Sequence, residues 1–313
     1  MIIKQIYSIK KASRYGFILG GFLFPSLLIF LTCATSSPVN TAREGSASFA
    51  AVEAVQPQWQ PFADGIGYFH GKTVSPRLEF WALRIDLYAP NTRIVVKGGA
   101  DGDGTLGAKV SSFVRSNDLL AGINAVPFDV ISAKEGLPVK NMGLVISGGE
   151  LIAPVNPNYD ALVFYKDGGA AIIKQSEISS TEDIENAVGG FHQILAGAEA
   201  AQRTLNSEER HPRSAAGISA NDGILYLLVI DGRREGSSGG TEKETALLLR
   251  AFGSTDGINF DGGGSSALVL RYPDGRVRAV NTPIHGGIPG QERAVAGCLG
   301  VYSVFPGEDK VPQ

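Results

Sequence analysis

Length, composition and charge favour one acidic globular domain and exclude several classes of protein. The chain has 313 residues, with 28 lysine and arginine residues against 31 aspartate and glutamate residues. An acidic balance excludes a nucleic-acid binder that relies on phosphate contacts. The sequence contains two cysteines, Cys33 and Cys298, and four histidines without metal-binding spacing, so we predict no disulfide framework and no metal site.

The first 34 residues have the form of an export signal or a membrane anchor. Four basic residues precede an uncharged, largely apolar run over 16–34. This run lies between the length of a cleaved signal and that of a spanning helix, so cleavage, retention as an anchor and lipidation at Cys33 all stay open. We expect the body to be periplasmic, extracellular or membrane-anchored, with the membrane as a partner if the segment is retained.

Composition divides the rest of the chain into three parts. Residues 35–61 are rich in Ser, Thr, Pro and Ala and predict a flexible linker. Residues 62–306 are long enough to bury one sizeable core. Residues 307–313 form a short tail.

Hydrophobic periodicity predicts a mixed α/β domain of the α+β class, with a few helices packed on mixed sheet and more strand than helix. The second helix is the clearest element, with Thr241 as N-cap, Glu244 completing a capping box and Gly253 as a left-handed stop. The predicted elements in chain order are a strand over 81–87 with its hairpin partner over 93–97, a helix over 108–116, strands over 119–126, 143–146, 161–165, 170–174, 215–219 and 224–230, a helix over 242–252, and strands over 257–260, 267–271 and 297–304.

A loop over 102–107 has the GxGxxG pattern of a dinucleotide-binding turn. It begins several residues after the preceding strand, and Asp129, the acid that would hold a ribose, follows Gly102 by 27 residues rather than about 20. No series of βαβ units follows it. We therefore interpret the segment as a surface loop and predict no cofactor.

The run Asn-Phe-Asp-Gly-Gly-Gly-Ser-Ser over 259–266 carries the strongest signal for a site. Three successive glycines permit a sharp turn in which several N–H groups point at one anionic oxygen, beside a carboxylate and two hydroxyl groups. The GxSxA frame resembles a nucleophile elbow, but an elbow leads into a helix, whereas the residues that follow predict a strand. A serine hydrolase is the weaker interpretation. The residues of interest are Asn259, Asp261, Gly262, Gly263, Gly264, Ser265 and Ser266.

Two arginine-bearing segments adjoin the predicted strands over 215–219 and 224–230. If these strands form a hairpin, both segments lie at the same end of it. Two guanidinium groups near a cluster of N–H groups describe a phosphate site, because a guanidinium binds phosphate oxygens bidentately; either arginine alone would indicate a solvated surface charge. The residues are His211, Arg213 and Ser214 in the first segment, and Asp231 and Arg233 in the second.

Together these segments resemble the phosphodiester glycosidases related to the mannose-6-phosphate uncovering enzyme. The resemblance covers roughly 78–304, and the run over 259–266 is its most specific element. One departure is visible, because such proteins typically read Asn-Gly-Gly-Phe-Phe or Asn-Ala-Gly-Phe-Phe where this chain has Asn124-Ala-Val-Pro-Phe128, and Pro127 removes a backbone donor there. The other segments are 121–124, 211–217, 231–233, the helix from Thr241, and 292–296.

The resemblance implies a hydrolase that cleaves the bond between an anomeric carbon and a phosphodiester oxygen, releasing a sugar and a phosphomonoester. A cation-like sugar favours a nearby carboxylate, and the departing phosphate favours fixed donors. The candidate catalytic residues are Asp261, Asp231, Glu292 and His211. The candidate substrate-binding residues are Asn124, Arg213, Ser214, Arg233, Asn259, Gly262, Gly263, Gly264, Ser265, Ser266 and Arg293.

Two other classes of function stay open. A binding module for envelope polysaccharide or a phosphodiester polymer would use the same pocket without turnover. Cleavage at the P–O bond normally uses metal ions, and the scarcity of histidine and clustered carboxylates disfavours it. We predict a carbohydrate phosphodiester as the partner, and no nucleic acid or protein partner.

Overall fold

The computed structural model describes residues 49–99 and 105–307. The predicted signal or anchor over 1–34, the first half of the glycine-rich loop over 102–107 and nearly all of the tail over 307–313 lie outside these residues. None of the helices within 49–99 and 105–307 combines the length and the hydrophobicity of a transmembrane span. All of the described residues belong to one compact unit.

The largest sheet among the described residues has eight strands, and every neighbouring pair in it is antiparallel. Its central strands are buried on both faces because apolar layers cover each side. With strands numbered in chain order, its order from edge to edge is β1 (Gln60–Ala63), β2 (Ile66–Thr73), β3 (Leu78–Asp86), β16 (Ile224–Ile230), β15 (Arg213–Ser219), β17 (Asp256–Asn259), β13 (His192–Ala196) and β14 (Glu199–Ala200).

Two five-stranded sheets and one short strand pair complete the β structure of the described residues. The first five-stranded sheet contains β11 (Ala170–Lys174), β10 (Asp160–Tyr165), β12 (Ile184–Gly189), β8 (Val145–Ser147) and β9 (Glu150–Ala153). The second contains β19 (Val277–Ala279), β18 (Leu268–Arg271), β6 (Ala121–Asn124), β20 (Cys298–Tyr302) and β4 (Arg93–Val96). The short pair consists of β5 (Thr105–Leu106) and β7 (Pro138–Val139).

The sheets stack in layers with helices on the outside. Helix α2 (Glu242–Phe252) packs its apolar face on one side of the eight-stranded sheet. The other side of that sheet shares one core with both five-stranded sheets. Helix α1 (Val110–Ser116) covers the outer face of the sheet that contains β6 and β18. Burial of both faces explains why β16 reads as a continuous apolar run rather than an alternating one.

The structure confirms some predicted elements and corrects one pairing. Helix α2 has the predicted bounds and capping box, and Gly253 adopts a left-handed conformation with φ of 109°. Strands β15 and β16 form the expected hairpin, with Arg213 opposite Ile230. The predicted hairpin of 81–87 with 93–97 is wrong, because β3 pairs with β2 and β16 while β4 pairs with β20 in another sheet.

The ordered domain begins earlier than the predicted boundary at residue 62. Residues 49–53 form a helical turn, and Val52 is 0% exposed. Trp59 packs edge to face on Phe252 of α2, with ring centroids 5.5 Å apart. The second half of the predicted linker is therefore part of the folded body, because its few apolar residues cover the outer face of the large sheet.

Replacement of Val52 by alanine should lower the free energy of unfolding by about 2 kcal/mol, since it removes two buried methyl groups. The matched control is Val74→Ala, because Val74 is 93% exposed and its replacement should be neutral. Urea unfolding of both variants measures the difference. Equal midpoints for both variants would show that residues 49–59 do not contribute to the folded domain.

Candidate active site

The strongest sequence motif lies where the chain passes from one sheet to another. Strand β17 ends at Asn259 in the eight-stranded sheet, and β18 begins at Leu268 in a five-stranded sheet. Between them, residues 261–266 form a tight turn with a 3-10 segment over Gly263–Ser265, here called the glycine turn. As predicted, a strand follows Ser265 rather than the helix that a nucleophile elbow requires.

Most N–H groups of the glycine turn already have acceptors within the protein. Gly263 N–H donates to the Pro212 carbonyl at 2.8 Å, and Ser265 N–H and Ser266 N–H donate to carbonyls inside the turn at 3.2 and 3.3 Å. Asp261 N–H donates to the Ala125 carbonyl at 2.8 Å. This corrects the prediction that the glycine turn presents a cluster of free N–H donors. The positive charge at this site comes instead from arginine side chains.

Two arginine side chains lie directly against the glycine turn. If Gly263 carried a Cβ atom, that atom would lie 3.2 Å from Nη2 of Arg233. A Cβ atom on Gly264 would lie only 2.5 Å from Nη2 of Arg293. Gly263 also has a φ of 61°, a conformation that disfavours other residues. The glycines are required here because they let two guanidinium groups approach the backbone.

Each of these arginines is held by a histidine. Arg293 donates from Nε to Nδ1 of His285 at 3.1 Å and from Nη1 to Oγ of Ser265 at 3.1 Å. Arg233 donates from Nη2 to Nδ1 of His211 at 3.2 Å. Neither guanidinium forms a salt bridge with a carboxylate of the described residues. Both charges are therefore available to a bound anion.

Asp261 supplies the carboxylate of the glycine turn. Burial raises the pKa of Asp261, and the hydroxyl of Ser265, the charge of Arg293 and the N–H of Gly262 act in the opposite direction. A carboxyl group with a raised pKa exchanges protons closer to neutral pH than an exposed aspartate does. The turn therefore combines a titratable acid with two unpaired cations.

Asn124 and Ser214, both predicted to bind substrate, are instead buried parts of the scaffold. Asn124 donates from Nδ2 to the Asp261 carbonyl at 2.6 Å. Its Oδ1 accepts from Oγ of Ser214 at 2.7 Å and from Ala267 N–H at 3.1 Å. Both side chains are fully buried and paired, so contact with a sugar is unavailable to them. They fix the glycine turn between two sheets.

Asp231, predicted as a candidate for activating water, is also a structural residue. It is 1% exposed and accepts from Nε of Arg234 at 2.6 Å, from Nδ2 of Asn281 at 3.1 Å and from Thr282 N–H at 3.0 Å. Burial raises the pKa of Asp231, although the charge of Arg234 and the hydrogen bonds from these donors act in the opposite direction. Asn281 also donates to the Ser266 carbonyl at 3.0 Å, so Asp231 braces the end of the glycine turn.

Arg213 approaches the glycine turn through its backbone, but its guanidinium is committed elsewhere. It donates from Nε to the Gly240 carbonyl at 2.9 Å and from Nη2 to the Glu209 carbonyl at 3.0 Å, and the residue is 8% exposed. Its predicted role in phosphate binding is therefore not supported by these contacts. Arg233, on the neighbouring strand end, lies against Gly263 instead.

Three other predicted residues have surroundings unlike those expected. Glu292 accepts from Ser111 N–H at 3.0 Å, which places its carboxylate at the first turn of α1. Asn259 and Ser266 are buried, and Oδ1 of Asn259 and Oγ of Ser266 have no hydrogen-bond partner among the described residues. Participation of Glu292 in catalysis stays a prediction, as does substrate binding by Asn259 and Ser266.

Sequence reasoning missed His285 and Asn281. His285 lies in a glycine-rich loop, and a carbon added to Gly264 would lie 3.3 Å from its Cα. Metal-ligand spacing does not identify His285, because its distinguishing feature is the contact with Arg293. The sequence signal that could have identified His285 is its position in a loop between a proline and two glycines. This loop comes shortly before the Glu-Arg pair over 292–293.

The charges at the glycine turn suit an anion. The described residues contain no group of three or more His, Cys, Asp or Glu side chains that could hold a metal ion. Arg233, Arg293 and Asp261 are the charged side chains beside the glycines. Two guanidinium groups against one carboxyl group leave net positive charge for a phosphate oxygen.

Comparisons with known proteins identify a family and similar folds. The family model for phosphodiester glycosidases matches residues 117–302. The structure resembles the catalytic domain of zebrafish N-acetylglucosamine-1-phosphodiester alpha-N-acetylglucosaminidase, with a TM-score of 0.57, 19% identity, and coverage of 80% of this chain and 89% of that one. It also resembles a hypothetical protein from Synechocystis, with a TM-score of 0.58 and 14% identity over 76% of this chain. The match covers 62% of the Synechocystis chain, less than two thirds of its length. No curated protein sequence matches the chain.

A charge network that begins at buried Asp231 connects the support of the glycine turn to the large sheet. Arg234 contacts Asp231 through Nε at 2.6 Å and Glu79 on β3 through Nη2 at 2.5 Å. Lys72 and His70 also contact the Glu79 carboxylate, at 2.8 and 2.9 Å. Burial opposes ionisation of Glu79, but hydrogen bonds from Lys72, Arg234 and His70 outweigh it and lower the pKa of Glu79 to about 2.

This network predicts a loss of stability in acid. Because the pKa of Glu79 falls from 4.5 to about 2 on folding, its contribution is complete above pH 4.5 and is lost as the pH falls toward 2. Glu79→Gln should be less stable at neutral pH and lose less stability across that window. Urea midpoints from pH 2 to 7 measure the effect, with Glu150→Gln on exposed β9 as the control. Parallel curves for Glu79→Gln and the wild type would contradict the assignment.

Proposed function

Because the chain belongs to the phosphodiester glycosidase family, we propose that it is an exported hydrolase that cleaves the anomeric C–O bond of a sugar phosphodiester. The products are a free sugar and a phosphomonoester. One observation carries this proposal. The guanidinium groups of Arg233 and Arg293, neither paired with a carboxylate, lie against the glycine turn that also holds Asp261.

The two arginines bind the phosphate group. Burial lowers the pKa of Arg293, the charge of Asp261 opposes this shift, and the charge of Arg233 adds to it, which means that the two cations repel each other. An anion bound between them relieves this repulsion. Guanidinium groups present paired donors that match phosphate oxygens. The same contacts stabilise the additional charge on the phosphate as the C–O bond breaks.

Asp261 acts on the sugar side of the broken bond. Positive charge develops at the anomeric carbon in the transition state, and a nearby carboxylate stabilises it. Phosphate is a good leaving group, so the reaction depends less on a strong general acid than ordinary glycoside hydrolysis does. Attack on the anomeric carbon and proton abstraction from water both require ionised Asp261. Activity should therefore fall as the pH drops below its raised pKa.

The N-terminal segment directs export. Basic residues followed by an apolar run over 16–34 are typical of a signal or an anchor. A body outside the cytoplasm would encounter envelope polysaccharides and exopolysaccharides, in which phosphodiester links join sugars. We propose such a compound as the natural substrate.

Substitution of Arg233 or Arg293 by alanine should reduce kcat/KM by about 100-fold or more, because each removes a charged donor from the leaving phosphate. The matched control is Arg276→Ala, since Arg276 is exposed and paired with Asp274 at 2.6 Å. The assay measures sugar released from a panel of anomeric phosphodiesters. Arg213→Ala should instead lower stability, because its guanidinium binds two backbone carbonyls. Full activity of both Arg233→Ala and Arg293→Ala would exclude the proposed phosphate site.

Asp261→Asn should abolish sugar release while the protein remains folded, since the amide keeps the shape but not the charge of the carboxylate. Far-UV circular dichroism checks the fold, and time-resolved sugar release checks the activity. Unchanged turnover would remove Asp261 from the chemistry. A wild-type protein that gains thermal stability from a phosphodiester polymer without releasing sugar would be a binding module instead.

A further inference from the structure

The contact between Arg293 and His285 determines which ring nitrogen of His285 carries the proton. Nε of Arg293 lies 3.1 Å from Nδ1 of His285. Because the N–H of arginine can only donate, Nδ1 must present a lone pair. In the neutral ring the proton is therefore on Nε2. The guanidinium thus selects one tautomer of His285.

The same contact keeps the ring neutral. Burial and the charge of Arg293 lower the pKa of His285. Protonation would place a second cation beside Arg293 and turn Nδ1 into a donor facing another donor. His285 is therefore a neutral N–H donor with a fixed orientation at neutral pH.

His285 lies beside the glycine turn. His285 starts the short 3-10 turn His285–Gly287, which packs beside Gly264. Nε2 has no protein partner among the described residues. His211 provides a comparison, because its Nδ1 also faces an arginine, but its Nε2 lies 3.2 Å from the Glu209 carboxylate. Of the two arginine-bound histidines, His285 is the one with an uncommitted Nε2–H.

We propose that His285 is a further catalytic residue, whose Nε2–H donates a hydrogen bond to the phosphate oxygen that accepts the electron pair of the breaking C1–O bond. This assignment rests on the proposed function. The electron pair of the C1–O bond moves to the phosphate oxygen, while water adds its hydroxyl group to C1 and loses its other proton to the bulk solvent. The histidine proton is shared with the phosphate oxygen but not transferred, because transfer would leave an unfavourable imidazolate.

Two substitutions separate the donor from the contact with Arg293. In His285→Asn, the side-chain oxygen can still accept from Arg293, but no N–H remains at the Nε2 position. In His285→Gln, the amide nitrogen reaches close to the Nε2 position and supplies the donor. We expect kcat to fall about 100-fold in His285→Asn with little change in KM, and to recover by at least tenfold in His285→Gln. A residue that only supports the loop would give the same loss in both variants.

Binding of inorganic phosphate gives a readout that does not require turnover. We expect phosphate to shift the Nε2–H resonance of His285 in nitrogen-15 spectra, and its affinity to fall about tenfold in His285→Asn. Unchanged phosphate affinity and kcat in His285→Asn would overturn the assignment and leave the proposed function intact. A wild type that binds phosphate through His285 but cleaves no diester would overturn the proposed function alone. A wild type that binds no phosphate would overturn both.

Discussion

The arrangement of the site depends on one buried amide. Asn124 lies at the end of β6 in one sheet, accepts from Ser214 on β15 of another, and donates to the carbonyl of Asp261. A buried polar group that loses a partner costs about 1 to 3 kcal/mol, so this arrangement strongly resists change. Because the partners come from separate segments, the amide fixes the glycine turn relative to both sheets. Side chains on such a turn are held in place by the two sheets rather than by a mobile loop.

The structure separates charges that hold the fold from charges that are free to bind a ligand. Asp231, Glu79, Arg234 and Arg213 are largely buried, and each is paired within the protein. Such groups must be paired, because an uncompensated buried charge is strongly destabilising. Arg233 and Arg293 lie at the turn without a carboxylate partner. The paired set thus supports the backbone, while the unpaired arginines give the open side of the turn its positive charge.

Local patterns predicted local structure well and failed where long-range contacts decide. The cap residues fixed the bounds of α2, and the apolar runs identified β15 and β16. The partners of β3 could not be predicted from local sequence. Tertiary contacts determine that β3 pairs with β2 and β16 rather than with β4. Similarly, the sequence predicted that Arg213 and Arg233 lie at one end of a hairpin. It could not predict the direction in which either guanidinium group points. His285 was missed because its chemistry depends on a contact formed across a folded loop.

A histidine partner orients an arginine without cancelling its charge, as a carboxylate partner would. An arginine held by a carboxylate is well oriented, but its charge is largely cancelled. A neutral imidazole accepts a hydrogen bond and orients the guanidinium while leaving its positive charge intact. Arg293 and Arg233 are both held in this way, at 3.1 and 3.2 Å. Most N–H groups of the glycine turn donate to carbonyl groups within the protein. The glycines therefore serve mainly to leave room for the arginine side chains. Preorganised cations close to the backbone, with their charge preserved, are what stabilisation of a departing phosphate requires.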